Sequence, residues 1–245
     1  MLSKLKRFEK LAIGFLGGAL FFSGLSHAAS TTNLEVSLDR LQFFVQGEDK
    51  TSAEGKYDNG GTQVPEAIVY EGTTYIPLRK AADLLGESVY WDGLTRGVSI
   101  GKPYVIVYDG KGNRIGEAVL TPYAGGVNVA LKVSNLTPGK HGVHIHEKAF
   151  TGFDFTTAGG HFNPDNKKHG HHSKEGHHIG DLDNIEVSED GKGRLEFDLE
   201  GASLDKNSKF SLIGRSIIVH AAEDDGKTDP SGNSGDRVAG GIIPQ

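Results

Sequence analysis

The fold of this chain is decided by one stretch near its middle, His141-Gly142-Val143-His144-Ile145-His146-Glu147. Side chains alternate between the two faces of a β-strand, so His144 and His146 leave one face while Val143 and Ile145 leave the other. The spacing predicts a strand whose apolar side enters a core and whose imidazoles meet a metal on the outer wall of a β-structure. Two histidines at this spacing also occur by chance in half-buried strands, so the downstream residues must separate the two interpretations.

Further metal-ligand residues follow this strand in short motifs. They are His161 in Gly-His-Phe-Asn-Pro, His169 in Lys-His-Gly, His178 and Asp181 in His-Ile-Gly-Asp, and His220 after Ile-Ile-Val. Imidazole nitrogen suits copper and zinc, and a carboxylate added to imidazoles suits zinc. Six histidines and one aspartate therefore divide into two metal sites that share one residue.

The five motifs, in this order, resemble the Cu/Zn superoxide dismutases, which carry a G-x-H-x-H-E strand, a G-H-F-N-P turn, a K-H-G turn, an H-x-G-D-L loop and a late G-x-R. The resemblance covers residues 103–245 and implies an all-β fold, an eight-stranded Greek-key β-barrel akin to an immunoglobulin-like sandwich. Short segments with strand character support this class, near residues 105–108, 117–120, 127–133, 141–147, 194–199, 216–220 and 238–243.

The resemblance also implies the ligands of each metal. Copper would be held by His144, His146, His161 and His220, and zinc by His161, His169, His178 and Asp181. His161 would bridge the two metals. The implied reaction converts superoxide to O₂ and H₂O₂ by alternate reduction and oxidation of copper, with His161 helping to deliver protons.

Two residues outside the ligand set have implied roles. Asp224 would join a copper-site histidine to a zinc-site histidine and so fix the tautomers of both rings. Arg237 would stand beside the open copper position and orient the superoxide anion. Phe155 and Gly240 occupy positions where many family members have the cysteines of a loop-anchoring disulfide. The chain has no cysteine, so metal and packing must order the long loop before Asp181.

The N-terminus predicts export. Four basic residues precede an apolar run at positions 11–25, and small residues follow, which is typical of a signal peptide over residues 1–28. The absence of cysteine excludes a lipid-modified cysteine anchor, so we expect a secreted or cell-surface protein. Without residues 1–28 the formal charge is −9, which makes nucleic acid an unsuitable partner.

Residues 33–101 predict a small mixed α/β domain. It contains a hairpin around Gly72, a second hairpin around Gly93, and between them a helix opened by Pro77 and stopped by Gly86, with an apolar face of Leu78, Ala81, Ala82, Leu84 and Leu85. Its motifs resemble the copper-amine-oxidase-like N-terminal domain of secreted bacterial proteins. The resemblance implies cell-surface association or a spacer, or else an accessory domain without separable activity; with no histidine in this range it implies no copper.

Two other functions fit parts of the pattern. A secreted protein on the same scaffold could buffer or deliver copper and zinc, but a buffer needs no arginine beside an open copper position. Metal-dependent hydrolysis needs a general base near the metal, and strand alternation directs Glu147 to the face opposite His146. The histidine-rich tract 171–177 could gather metal weakly, although a solvated loop is the simpler interpretation.

Overall fold

The structure, a computed structural model, describes residues 33–170 and 176–245. Residues Val36–Gln245 form one compact unit. The predicted signal peptide, residues 1–28, lies outside the described residues. None of the helices within the described ranges is long and apolar enough to span a bilayer.

The part of this unit before residue 101 consists of four two-stranded antiparallel sheets and one helix. The elements are β1 (Phe44–Val45), β2 (Glu48–Asp49), β3 (Lys56–Asp58), β4 (Gln63–Pro65), β5 (Ile68–Tyr70), β6 (Thr73–Tyr75), α1 (Leu78–Leu85), β7 (Val89–Asp92) and β8 (Gly97–Ile100). The two predicted hairpins are present as β5 with β6 and β7 with β8. Glu71 and Gly72 have φ values of 48° and 74°, as a two-residue hairpin turn requires.

The helix α1 covers only part of the apolar face that its sequence presents, since Ala82 is buried but the leucines at its two ends are exposed. Leu78 and Leu85 are 45% and 72% exposed, whereas Lys80 is only 8% exposed. The Lys80 ammonium lies 3.6 Å from the buried carboxylate of Glu66 and within 5.9 Å of two aromatic ring centres. These contacts compensate the burial of a charge, so the lysine side of the helix is the covered one.

The remaining strands form one antiparallel sheet. They are β9 (Tyr104–Asp109), β10 (Arg114–Tyr123), β11 (Gly126–Val133), β12 (Gly139–His141), β13 (Val143–His146), β14 (Ile185–Val187), β15 (Gly193–Glu200), β16 (Ser216–His220) and β17 (Arg237–Ile242). Their order is β12-β14-β15-β11-β10-β9-β17-β16-β13. Two three-residue strands were not predicted from sequence, because so short a run shows no periodicity: β14, and β12, which together with β13 replaces the single strand predicted over 141–147.

The two edge strands of this sheet are consecutive in the chain, with Gly142 alone between them. β12 pairs with β14 on one side, and β13 pairs with β16 on the other. The single stretch 139–146 therefore brings the two edges together and nearly closes the sheet into a barrel. The prediction of an all-β fold is confirmed.

The interior of this barrel is filled by aliphatic side chains. Val143 and Ile145 of β13 are fully buried in this core, as their alternation with the histidines predicts. They pack with fully buried residues of the other strands and loops, among them Val105, Val107, Leu120, Val129, Leu131, Ile185, Leu212, Ile217 and Val219. One face of β13 thus belongs to the core, and the other is left for His144 and His146.

Candidate metal centre

Two strands and one long loop bring the predicted ligands together. β13 carries His144 and His146, and the adjacent β16 ends at His220. The loop that follows β13 returns to it twice, through backbone bridges between His146 and His161 and between His144 and Asp181. Hydrogen bonding to the ligand strand therefore places the loop residues beside the strand histidines.

Four histidines form a first group, and all are buried: His144, His146, His161 and His220. Each offers a ring nitrogen within 4.8 Å of the others, and Nε2 of His146 lies 3.4 Å from Nε2 of His220. The buried nitrogens His144 Nδ1 and His161 Nε2 have no hydrogen-bond partner among the described residues. Buried polar atoms without partners are costly, so these two nitrogens fit a group built to bind a cation.

The second group is centred on Asp181 Oδ1. This oxygen lies 2.9 Å from His161 Nδ1 and 3.1 Å from Nδ1 of both His169 and His178. Nδ1 of His178 lies 3.4 Å from Nδ1 of His161. Ligands at roughly 2.0–2.1 Å around a tetrahedral zinc ion lie about 3.3 Å apart, so the spacing fits one zinc ion.

Asp224 connects the two groups. One carboxylate oxygen lies 2.6 Å from His144 Nε2, and the other lies 2.9 Å from His169 Nε2. The side chain of Asn184 holds the backbone of Asp224 through two hydrogen bonds of 2.8 and 2.9 Å. Gly232, at φ +63°, makes room for this link, since a Cβ there would lie 1.8 Å from Asp224 Oδ1. Asp224 therefore orients one imidazole of each group.

Burial keeps the first group neutral at physiological pH. It lowers the pKa of His144 to about 3, that of His146 to about 2 and that of His220 to about 4, from an ordinary value of 6.5. Burial also lowers the pKa of His161. Metal binding requires neutral imidazole, so this group is ready for a cation without losing protons.

His169 behaves differently because two carboxylates face its ring. Burial alone would lower its pKa, but hydrogen bonds to Asp181 and Asp224 outweigh that effect and raise the pKa to about 10. The carboxyl of Asp181 is buried too, yet hydrogen bonds from His161, His169 and His178 hold its pKa well below the usual range. In the metal-free protein His169 is therefore a cation that bridges two anions.

Arg237 lies at the edge of the first group. It is opposite His220 in the pairing of β16 with β17. Its guanidinium donates to the carbonyl oxygens of Phe155 and Gly159 at 2.7 Å each, and Nδ1 of His146 lies 3.0 Å from the same Gly159 oxygen. The arginine charge lowers the pKa of His146 and His220, after the larger effect of burial. A permanent cation is thus fixed next to the four-histidine group.

Phe155 and Gly240 are in contact. Phe155 belongs to the 3-10 helix Phe155–Ala158, and a Cβ at Gly240 would lie 3.0 Å from its ring. Phe150 meets Phe155 edge to face with ring centres 4.9 Å apart, and Ile218 completes the cluster. In this chain an aromatic ring packed on a glycine therefore anchors the loop to β17.

Two further residues support the ligand strand, and of these Arg215 was not singled out from sequence. His141 is buried with its nitrogens 2.7 Å from the carbonyl oxygen of His220 and 2.8 Å from that of Thr137. Arg215 stacks on the ring of Phe162, 3.4 Å from its centre, and donates to the carbonyl of Glu147. Apart from the contact between His141 and Thr137, these contacts join residues that are distant in sequence, so no local pattern marks them.

The histidine-rich tract is described only in part. His171 and His172 lie outside the described residues. Nδ1 of His177 lies 2.8 Å from the carbonyl oxygen of His178. The gathering of metal by this tract stays a prediction.

An all-β barrel with two adjoining groups of buried histidines, one completed by a carboxylate, defines a β-barrel metalloprotein. The match to known families is specific: residues 115–243 match copper/zinc superoxide dismutase, and residues 58–114 match the copper amine oxidase N-terminal domain. The chain belongs to the Cu/Zn superoxide dismutase family, which is a family of oxidoreductases that use copper and zinc.

Individual relatives agree with this assignment. The Cu-Zn superoxide dismutase 1 of Aquifex aeolicus is 39% identical over 147 residues, which are 58% of this chain and 87% of that protein. The extracellular Cu-Zn superoxide dismutase of Caenorhabditis elegans is 44% identical over 117 residues, 45% of this chain and 52% of that protein. The crystal structure of a SOD-like protein from Bacillus subtilis superposes with a TM-score of 0.54 at 37% identity, covering 57% of this chain and 97% of that one.

Proposed function

We propose that this protein removes superoxide by dismutation, in which two superoxide anions and two protons give O₂ and H₂O₂. The observation that carries the proposal is the placement of His161. Its Nδ1 lies 2.9 Å from Asp181 Oδ1, while its Nε2 is buried in the four-histidine group with no partner among the described residues. One ring shared in this way supports two adjacent metal ions joined by a single imidazole.

The ligands divide as the two groups suggest. Copper would be held by His144, His146, His161 and His220. Zinc would be held by His161, His169, His178 and Asp181; His144 also lies near this second group, but its Nε2 is bonded to Asp224, whereas Nδ1 of His178 faces Asp181. When bound, copper supplies the one-electron couple that the reaction needs, which zinc lacks. The eight-stranded Greek-key form of the barrel, with 139–146 counted as one strand, belongs to the same proposal.

Three side chains attract the substrate, transfer a proton and orient a ligand. Arg237 attracts and orients the superoxide anion beside the four-histidine group, held there by the carbonyls of Phe155 and Gly159. His161 holds a proton at Nε2 in one half of the cycle and gives it to the product in the other half. Asp224 keeps His144 oriented, because it accepts a hydrogen bond from Nε2 of this ring at 2.6 Å.

We further propose that the protein acts outside the cytoplasm. The basic and apolar pattern of residues 1–28 supports removal of a signal peptide. Two nematode relatives are described as extracellular, which agrees with this location. Residues 33–101 would act as an accessory domain ahead of the dismutase domain 103–245, and association with the cell surface is the role that their family resemblance suggests.

A metal-buffering protein on the same scaffold is the alternative. Buffering requires the two ligand groups but gives no role to Arg237, whose guanidinium is fixed by hydrogen bonds to loop carbonyls beside the four-histidine group. The arginine therefore favours catalysis.

The role of His161 is tested by His161→Gln in protein loaded with copper and zinc. We expect the rate of superoxide removal to fall at least about tenfold, with loss of zinc, because both groups lose a ligand. His177→Gln is the matched control, since His177 is a neighbouring histidine outside both groups. A His161→Gln variant that keeps both metals and the full rate would refute the shared ligand.

A further inference from the structure

An acidic pocket of 290 Å³ reaches the group centred on Asp181. His169 and Asp181 form part of its wall, together with four other acidic residues: Asp183, Glu223, Asp224 and Asp225. No lysine or arginine is among the described residues that line this pocket. The pocket therefore presents a strongly negative surface to solvent, with two residues of the proposed zinc site in its wall.

Three of these carboxylates are committed to the structure. Asp181 accepts bonds from three histidines, and Asp224 joins the two metal groups. Asp225 accepts from the backbone of Lys227 and Thr228 at 2.9 Å each and so shapes its own turn. They contribute charge but are not free to take a new ligand.

The other two carboxylates lie at the surface and can contact a cation. Asp183 is exposed, and the described residues give it no hydrogen bond or ion pair. Glu223 pairs with Lys140 at 2.8 Å, but both side chains are more than half exposed. An exposed ion pair of this kind is only weakly stabilising, so Glu223 can exchange Lys140 for another cation.

The four-histidine group has the opposite electrostatic character. Arg237 stands beside it, and neither Arg237, His146 nor His220 lines the acidic pocket. A divalent cation approaching past Arg237 is repelled, whereas superoxide is attracted there. The negative field of its carboxylates makes the acidic pocket favourable for a cation and unfavourable for superoxide.

We infer that zinc reaches its site through the acidic pocket, where Asp183 and Glu223 capture the hydrated ion before His169 and Asp181 bind it. This inference rests on the proposed zinc site. The route for the metal cation is thereby separated from the route for the anionic substrate. Asp183 and Glu223 act on the rate of zinc uptake and are not final ligands.

The test is the rate of zinc uptake by the metal-free full chain, mixed with one equivalent of Zn²⁺, quenched with excess chelator and analysed for bound zinc. The double variant Asp183→Asn/Glu223→Gln should take up zinc at least about threefold more slowly at 0.01 M ionic strength, because two charges are lost near the path. Its final zinc content should equal that of the wild type.

The matched control is Glu189→Gln/Glu196→Gln. It makes the same change in net charge and, like the test pair, combines an exposed carboxylate with one in an exposed ion pair, here Glu196 with Arg194. This control should take up zinc at the wild-type rate. If the two double variants take up zinc at the same rate, the inference is overturned while the zinc site stands. A wild-type chain that binds no zinc would overturn the proposed function itself.

Discussion

His169 links the protonation state of the protein to zinc. In the metal-free chain its ring donates to Asp181 from Nδ1 and to Asp224 from Nε2, which raises its pKa to about 10. Because the pKa is raised, this stabilisation of the metal-free fold is complete below about pH 6.5 and is lost as the pH rises through about 10. Zinc must replace the proton on Nδ1.

We therefore expect one equivalent of zinc to release roughly one proton from the metal-free protein at pH 7. The apparent zinc affinity should fall about tenfold for each pH unit between pH 9 and 7. Titration in weakly buffered solution with a pH indicator measures the release. Copper should release no proton from His144, His146 or His220, whose pKa values lie at about 4 or below. Zinc binding without proton release would contradict the role of His169.

In the proposed mechanism, the attraction of superoxide depends on Arg237. The range 103–245 carries a formal charge of −5, so the average field repels an anion and attraction has to be local. Steering by a local field of this kind raises on-rates by roughly 10 to 10³. The permanent positive charge of Arg237 can make the local electrostatic potential beside the four-histidine group attractive to an anion.

Arg237→Glu should lower the second-order rate of superoxide removal at least about tenfold without changing metal content. Added salt should slow the wild type and slow the variant less, because the Debye length shrinks from about 30 Å at 0.01 M to about 10 Å at 0.1 M. Arg194→Glu, an equal charge change at a side chain that is 67% exposed, is the control. A variant equal to wild type in both rate and salt response would remove Arg237 from the mechanism and favour the metal buffer.

At the scale of elements, the 3-10 helix Phe155–Ala158 connects the metal loop to the barrel. The ring of Phe155 packs on Gly240 of β17, and its carbonyl accepts from Arg237 of the same strand. The packing of this ring therefore supports the backbone that positions Arg237 and the Gly159 carbonyl. The anchor combines packing with hydrogen bonds and uses no disulfide, since the chain has no cysteine.

Phe155→Ala should lower the free energy of unfolding by about 3 kcal/mol, the usual cost of removing a buried aromatic ring. It should also reduce the rate of superoxide removal, because the loop backbone whose carbonyl oxygens accept from Arg237 loses its packing against β17. Phe153→Ala is the control, since Phe153 is 36% exposed and two residues away. Thermal or denaturant unfolding measures the stability of the two variants. Equal stability of the two variants would show that Phe155 does not anchor the loop.

The elements show what sequence can and cannot reveal. The residues of the two buried groups could be picked out from sequence because each lies in a short motif, and alternation along β13 separates Val143 from His144. The burial of Lys80 on α1 was not predictable, because its partner Glu66 lies 14 residues earlier and no local pattern marks the pair. Likewise the shared Gly159 carbonyl and the Phe155 contact arise only when the barrel brings distant segments together.

For the whole molecule, the barrel core is supplied by residues after 104 alone. The core cluster runs from Val105 to Ile243, and both metal groups lie within the same range. The preceding part touches the barrel through the chain end, where the backbones of Trp91 and Gln245 exchange hydrogen bonds of 2.5 and 2.9 Å. The barrel therefore has the interior of an independent domain.

A fragment of residues 102–245 should fold, bind both metals and keep the rate of superoxide removal of residues 29–245. Its melting temperature should be lower, because it loses the Trp91 hydrogen bonds, which contribute about 1 kcal/mol each. Elemental analysis, calorimetry and a superoxide assay test these expectations. A soluble, metal-loaded fragment without activity would show that residues 33–101 are part of the enzyme.

We propose that one copper ion per chain, beside zinc, makes this protein a superoxide dismutase. The most direct measurement is the rate of superoxide removal by zinc-loaded protein as copper is added in steps, with bound copper and zinc quantified at each step. We predict a rate that rises in proportion to bound copper and stops rising at about one copper per chain, the capacity of a single four-histidine group. Binding of one copper per chain without superoxide removal would contradict the claim and identify a metal buffer.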